Sequence, residues 1–96
     1  MCDVFIQHGI VFGDGTFDKK KGHCRVSLIG KKQDYIKYFN DATTSTEGDR
    51  DSTLVYGLPY YFKDLPPITA NVEYIKGFIY GLLLTDGRIG SSVRLG

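Results

Sequence analysis

Cysteine is scarce in this 96-residue sequence, which contains only Cys2 and Cys24. Their spacing matches no metal-ligand motif, and two cysteines do not provide the disulfide framework of a small secreted domain. We therefore expect both thiols to be reduced. A cytoplasmic location, or another reducing intracellular compartment, is expected, with phage, bacterial and organellar origins all compatible.

Long apolar runs are also lacking. The most apolar segment, residues 78–84, is far too short to cross a bilayer. Met1 is followed by Cys-Asp, without the basic start and apolar stretch of a signal peptide. The sequence therefore predicts a protein with no signal peptide and no membrane partner.

The chain has almost no net charge, because 12 basic residues against 11 acidic residues give +1. A bulk polycation is excluded, so any affinity for nucleic acid must come from a local basic face. Counting by segment locates one candidate. Residues 18–37 contain seven bases and two acids, whereas residues 41–64 contain two bases and five acids.

Several common catalytic motifs are missing. The sequence contains no phosphate-binding Gly-x-x-x-x-Gly-Lys-Ser/Thr, no dinucleotide-binding Gly-x-Gly-x-x-Gly and no Gly-x-Ser-x-Gly nucleophile elbow. Tryptophan is absent, but seven tyrosines, six phenylalanines and 12 glycines indicate tight turns and a core built largely on rings. Length and composition indicate one small globular domain.

An internal repeat is the most informative feature that is present. Residues 7–17 read QHGIVFGDGTF and residues 79–89 read IYGLLLTDGRI, an offset of 72. Each copy contains a glycine, three apolar residues, a small residue and Asp-Gly. Apolar residues at helical spacing precede each Asp-Gly, and a glycine follows as at helix C-termini. Two similar helices are predicted, leading to Asp14 and to Asp86.

The segment between the two copies begins with a strand pattern. Residues 23–29 alternate, with Cys24, Val26 and Leu28 on the face expected to be buried. Residues 53–58 are β-branched and aromatic, which predicts a second strand ended by a proline and preceded by a turn. The full predicted order is helix, two strands, helix, two strands, short helix and the second repeat helix.

Two further helices are predicted in this middle segment. Residues 31–39 have helical spacing, with Tyr35, Ile36 and Phe39 as the buried stripe and lysines outside. Residues 60–65 indicate a short helix that Pro66 and Pro67 stop.

Small residues recur at four-residue spacing in both repeat helices, at Gly9 and Gly13 and again at Gly77 and Gly81. On a helix such residues share one face and allow two backbones to approach closely. If the two copies pack together, Asp14 and Asp86 emerge at the same end. The glycine spacing could also be accidental in a glycine-rich chain.

Two adjacent carboxylates are unstable without a neutralising group between them. At about 4 Å they repel by roughly 1 kcal/mol in water and roughly 4 kcal/mol at an effective dielectric near 20. A hard cation such as Mg²⁺ accepts carboxylate, water and phosphate oxygens. Such a centre favours phosphoryl-transfer chemistry, because the metal stabilises attacking and leaving oxygens.

The two segments 7–15 and 79–87 resemble the motif of the LAGLIDADG homing endonucleases, since each keeps the third-position glycine and the closing Asp-Gly. The intervening residues are similar in length and order to that family's module. The resemblance implies an α+β fold with an αββαββα module, in which an antiparallel four-stranded saddle sheet packs on helices. Residues 1–70 would form the first module, and residues 71–96 the second motif helix and the start of a truncated second module.

The resemblance also implies an activity, a cofactor and partners. The family's members are metal-dependent hydrolases that cleave duplex DNA at specific sites, occurring free-standing, in introns or inside inteins. By position, Asp14 and Asp86 would be the catalytic, metal-binding acids with Mg²⁺ or another divalent cation. The four glycines would form the interface between the motif helices.

One departure from the family pattern concerns the second module, because only nine residues follow Gly87. We therefore expect a homodimer or a complementary second half to complete the site. The alternative is a non-catalytic nucleic-acid-binding remnant, or a fragment of an intein or insertion domain.

The residues expected to meet DNA follow from the strand pattern. The face opposite the buried one carries His23, Arg25 and Ser27, and Lys19, Lys20 and Lys21 precede it. Arginine can read guanine O6 and N7 with its two-pronged guanidinium, whereas lysines position phosphates. Neutralising several phosphates would make DNA binding strongly dependent on salt.

Simpler interpretations remain open for each motif. Asp-Gly is common as a plain turn, and the lysine run could be a solvated hairpin tip. Without a second ligand at metal-binding spacing, His23 is read as a surface residue and His8 as a packing residue.

Overall fold

The computed structural model describes residues 2–46, 51–67 and 69–85. This part of the chain contains two α-helices, a four-stranded antiparallel sheet and two 3-10 helices, which confirms the predicted α+β class. The elements are α1 (Asp3–Asp14), β1 (Thr16–Asp18), β2 (His23–Ile29), a 3-10 helix (Gly30–Phe39), β3 (Thr43–Thr46), β4 (Ser52–Leu58), a second 3-10 helix (Tyr60–Lys63) and α2 (Val72–Thr85).

The strands lie in the order β1-β2-β4-β3. β1 and β2 form a hairpin in which Thr16 faces Arg25 and Asp18 faces His23. The turn between them is residues 19–22, and Gly22 adopts a φ of 74°, a left-handed conformation that glycine reaches without steric cost. The lysine-containing turn is therefore held at one edge of the sheet.

A bulge interrupts the pairing of β2 with β4. Cys24 pairs with Leu58 and Val26 with Val55, so β4 has one more residue than β2 over this stretch. Gly57 lies within the bulge with a φ of 73°. A bulge of this kind increases the local twist of a sheet and redirects the side chains beside it.

The core lies between the sheet and the helices that cover one of its faces. The predicted alternation of β2 is confirmed, since Cys24, Val26 and Leu28 are buried while Arg25 and Ile29 are exposed. The face of α1 that packs on the sheet joins this core, and α2 packs mainly on α1. The buried apolar cluster comprises Ile6, Ile10, Val11, Cys24, Val26, Leu28, Phe39, Val55, Leu58 and Phe62.

The two middle helices differ in type from the prediction. Residues 30–39 form a 3-10 helix, and of the predicted stripe only Phe39 is fully buried, while Tyr35 and Ile36 are half-buried. The second short helix is likewise 3-10 and ends at Lys63 rather than at residue 65. Tighter winding moves side chains off the α-helical face, which explains the weaker burial of the stripe.

His8 connects three segments of the fold. Its ring is buried, and its Nε2 lies 2.7 Å from the carbonyl oxygen of Asp64, while Nδ1 lies 2.5 Å from the hydroxyl of Tyr74. A carbonyl can only accept, so Nε2–H donates to Asp64 and Nδ1 accepts from Tyr74. The structure therefore places His8 in packing, stacked on Phe62 with ring centroids 5.0 Å apart.

Candidate nucleic-acid interface and acidic centre

The outer face of the sheet carries the residues that the sequence pattern assigned to DNA. Because side chains alternate along a strand, burial of Cys24 and Val26 turns His23, Arg25 and Ser27 to the opposite face. A shallow depression of about 230 Å³ lies on this face. Its lining residues are Asp18, Lys21, His23, Arg25, Ser45, Leu54 and Tyr56.

Asp18 stabilises the lysine-containing turn of residues 19–22. The carboxylate of Asp18 accepts hydrogen bonds from the backbone nitrogens of Lys20 at 3.0 Å and Lys21 at 3.2 Å. These backbone bonds, Lys21 foremost, and the nearby charge of Arg25 lower the pKa of Asp18. The side chains of Lys19, Lys20 and Lys21 are left exposed beside the sheet, where phosphates can reach them.

Arg25 is oriented along the sheet rather than free. Its guanidinium, half-exposed, lies 3.7 Å from the Asp18 carboxylate, and an ion pair this long on the surface contributes little to stability because water screens it. A guanine edge or a phosphate can therefore compete for Arg25 at low cost. His23 differs, because its Nδ1 is buried and has no hydrogen-bond partner within the described residues.

Two residues of the outer face were not predicted from the sequence. Leu54 pairs with Ser27, and Tyr56 follows on the same face of β4. The alternation of β4, with Val55 buried between them, is the signal that could have identified both residues.

The glycines of the repeat lie where α1 and α2 touch. A Cβ atom on Gly9 would overlap the carbonyl oxygen of Phe78 and lie 2.7 Å from the nitrogen of Leu82. A Cβ atom on Gly81 would overlap the carbonyl oxygen of Ile6 and lie 3.0 Å from the nitrogen of Ile10. Backbone atoms cannot move aside as a side chain can, so only glycine fits at either position.

These contacts are reciprocal under the 72-residue offset of the repeat. Gly9 meets Phe78 and Leu82, and Gly81 meets the equivalents of those residues in α1. Equivalent positions also meet each other, because Gly13 contacts Thr85 and Gly77 contacts Phe5. The helices therefore run parallel and are related by an approximate two-fold axis.

Asp14 ends α1 beside this contact, and Asp86 lies outside the described residues. The Asp14 carboxylate pairs with the ammonium of Lys32 at 2.8 Å, a contact across 18 residues that the sequence pattern did not predict. A second depression of about 350 Å³ joins Asp14 and Lys32 to Thr16, Arg25 and Ser27. Asp14 therefore shares one surface with Arg25 and Ser27, two of the six candidate DNA-contacting residues.

The ammonium of Lys63 satisfies the carboxyl end of α1. It donates to the carbonyl oxygens of Phe12 at 2.8 Å and Val11 at 3.4 Å. Carbonyls at a helix C-terminus carry partial negative charge, so a cation stabilises them. Asp14 and these carbonyls give the end of α1 a negative character, which two lysines partly compensate.

The donor chemistry at this end suits a hard cation only in part. A carboxylate oxygen is a preferred ligand of Mg²⁺. Asp14 is a single such ligand, and within residues 2–46, 51–67 and 69–85 no group of three or more His, Cys, Asp or Glu residues could hold a metal. A second carboxylate would have to come from Asp86 or from another chain.

Comparison with known proteins gives no assignment: no family model, curated protein or solved structure matches the chain. No helix in the described part of the chain is long and apolar enough to cross a membrane. Both cysteines are free thiols, Cys2 exposed and Cys24 buried.

Proposed function

We propose that this protein is a LAGLIDADG-type endonuclease module that binds duplex DNA and hydrolyses phosphodiester bonds with a divalent cation. The observation that carries the proposal is the reciprocal packing of the repeat helices. Gly13 and Thr85, the residues immediately before Asp14 and Asp86, are in contact. Because Asp14 and Asp86 each directly follow one of these two touching residues, we propose that their carboxylates share one cation.

The DNA-binding part of the proposal rests on the outer face of the sheet. In the hairpin β1–β2, Lys21 and Arg25 line one depression, and a second depression joins Arg25 to Asp14. Lysines would hold phosphates and Arg25 would read a base edge. DNA seated on this face would bring its backbone past the end of α1.

Mg²⁺ would be held by Asp14 and Asp86, and when bound it would stabilise negative charge on the phosphate oxygens. Other residues of the chain would hold these two carboxylates in place. Lys32 holds Asp14 at 2.8 Å and keeps its charge balanced. The closely packed glycine interface holds Gly13 and Thr85, the residues before the two acids, in contact.

Cleavage of both strands requires a second sheet, and the outer face of α2 suggests where it would dock. Val11 and His8 of α1 are 0% and 2% exposed, whereas their repeat equivalents in α2, Leu83 and Tyr80, are 46% and 43% exposed. Together with the exposed Ile79, they form an apolar face on α2. We propose that a second copy of the chain, or a complementary second half, covers this face.

The decisive experiment measures cleavage of a randomised duplex library with Mg²⁺ and with EDTA. We expect Asp14→Asn and Asp86→Asn each to lower cleavage by at least about 100-fold, because each removes a metal ligand, while DNA binding by gel shift persists. Asp41→Asn, which neutralises an exposed acid elsewhere, serves as the matched control. Cleavage unchanged in both Asp variants would refute the assignment.

A second candidate function is DNA binding without cleavage. It is favoured by the ion pair of Lys32 with Asp14, which already satisfies the one carboxylate that the structure describes at this end. In that case the library would be retained by the wild-type protein without cut products. Loss of retention in Lys20→Ala and Arg25→Ala would still identify the outer face as the DNA interface.

A further inference from the structure

A large cleft lies at the amino-terminal end of the helix pair, away from Asp14 and from the outer face of the sheet. Its volume is about 670 Å³, within the range of small-molecule sites. One wall comes from α1 and α2, and the other comes from the segment that follows β4. The proposed endonuclease function uses none of its lining residues.

Aromatic rings form much of the cleft wall. Phe5, Tyr61 and Tyr74 all line it, and the rings of Phe5 and Tyr74 lie 4.5 Å apart. The rings of Tyr61 and Tyr74 both contact the ring of His8, with centroids 5.9 and 5.6 Å from it. Burial, and secondarily the neighbouring Tyr61, raise the pKa of Tyr74. Faces of aromatic rings carry partial negative charge and attract cations.

The charged groups of the cleft are of one sign. Asp64 and Glu73 line it, and no described lining residue is Lys or Arg. Within the described residues Asp64 makes no ion pair, and Glu73 makes only a long one of 3.7 Å with the exposed Lys76. His8 adds no free polar atom, because both ring nitrogens are already hydrogen-bonded.

We propose that this cleft binds a small organic cation, an ammonium group carried on an apolar or aromatic body. Leu65 and Pro67 line the cleft beside the rings and would contact the apolar body. The rings and the carboxylates of Asp64 and Glu73 would surround the charged group. An anion of the same size would face two carboxylates without a basic partner, and a neutral molecule would use only the rings.

Three probes of similar size separate these cases: benzyltrimethylammonium, benzyl alcohol and phenylacetate. Each is titrated into the intact chain while the ring signals of Tyr61 and Tyr74 are followed by NMR. We expect saturable shifts with benzyltrimethylammonium, an affinity at least about five-fold weaker for benzyl alcohol, and no saturable shift with phenylacetate. Equal affinity for all three, or no binding of the cation, would overturn the proposal.

Variants then test which groups recognise the charge. Asp64→Asn removes an exposed carboxylate of the cleft and should weaken cation binding about five-fold, whereas Asp41→Asn, outside the cleft, should leave it unchanged. Tyr61→Leu keeps an apolar wall but removes a ring. It should weaken binding of the cation about three-fold and leave binding of benzyl alcohol within about two-fold.

Discussion

At the scale of single residues, the hydrogen bonds and the pKa of the His8 ring depend directly on the fold. It receives a hydrogen bond from Tyr74 of α2 and donates one to Asp64 of the following segment, so it joins both to α1. Burial is the main influence on the pKa of His8 and lowers it below 6.5, while the carbonyl and charge of Asp64 act in the opposite direction. The neutral ring is the form that fits this position.

Stability should therefore depend on pH through His8. The unfolded state binds the His8 proton at higher pH than the folded state, so stability is fully present above about pH 6.5 and is lost as pH falls through the lowered pKa. Thermal unfolding between pH 7.5 and pH 5 measures this loss. We expect a decrease in melting temperature that is clearly smaller in His8→Gln, because that variant has no titrating ring.

His23→Gln provides the matched control, because it removes the other histidine and retains His8. The fall in melting temperature between pH 7.5 and pH 5 should persist in this variant, because His8 is retained. An identical pH profile in wild type and His8→Gln would contradict the role assigned to His8.

At the scale of elements, the contact between α1 and α2 depends on the absence of side chains at two positions. Backbone atoms of one helix occupy the space that a Cβ would take at Gly9 and at Gly81. At Gly13 the nearest atoms instead belong to the side chains of Thr85 and Leu82, which can rotate. The same substitution should therefore have different effects within one interface.

We expect Gly9→Ala and Gly81→Ala each to lower the free energy of unfolding by at least about 2 kcal/mol, since the helices must separate. Gly13→Ala should cost about 1 kcal/mol or less, because rotating side chains relieve the clash and alanine favours the helix by about 0.5–1 kcal/mol. Urea denaturation of the three variants provides the comparison. Equal effects at Gly9 and Gly13 would argue against backbone contact.

The elements also differ in how far the sequence could predict them. Side chains alternate between the two faces of a strand, and residues four apart share one face of a helix. The buried face of β2 and the glycine face of the repeat helices could therefore be predicted from the sequence. Phe39 follows Ile36 by three residues and Tyr35 by four, a short pattern that indicates a helix without separating α from 3-10 winding. Only the three-residue pair stays on one face of a 3-10 helix. The ion pair of Lys32 with Asp14 depends on tertiary placement across 18 residues and has no local signal.

At the scale of the whole molecule, the outer face of α2 presents a group of exposed apolar residues, of which Tyr80 also meets the edge of Tyr38 with ring centroids 6.5 Å apart. Ile79, Tyr80 and Leu83 are all exposed on one side of a helix whose other side packs on α1. Contiguous apolar surface of this kind marks an interaction site in most proteins. The same face is the one that the proposed second sheet would cover.

We therefore expect the wild-type chain to self-associate with increasing concentration, and Leu83→Lys to shift it toward monomer by at least about ten-fold in dissociation constant. Sedimentation velocity over a concentration series gives this measurement. Ile29→Lys places the same charge on another exposed apolar residue, in the sheet, and should leave association unchanged. A wild-type chain that stays monomeric at every concentration would remove the case for a two-chain site.

The parallel direction of α1 and α2 has an electrostatic consequence for the order of binding. Each helix contributes about half a negative charge at its carboxyl end, and parallel packing places the two ends side by side instead of cancelling them. Lys32 and Lys63 compensate this charge only in part, so a phosphodiester arriving there without a counter-ion meets the remaining charge of its own sign. On the proposed function, loading of the cation and seating of the DNA are thus coupled events, each raising the affinity for the other.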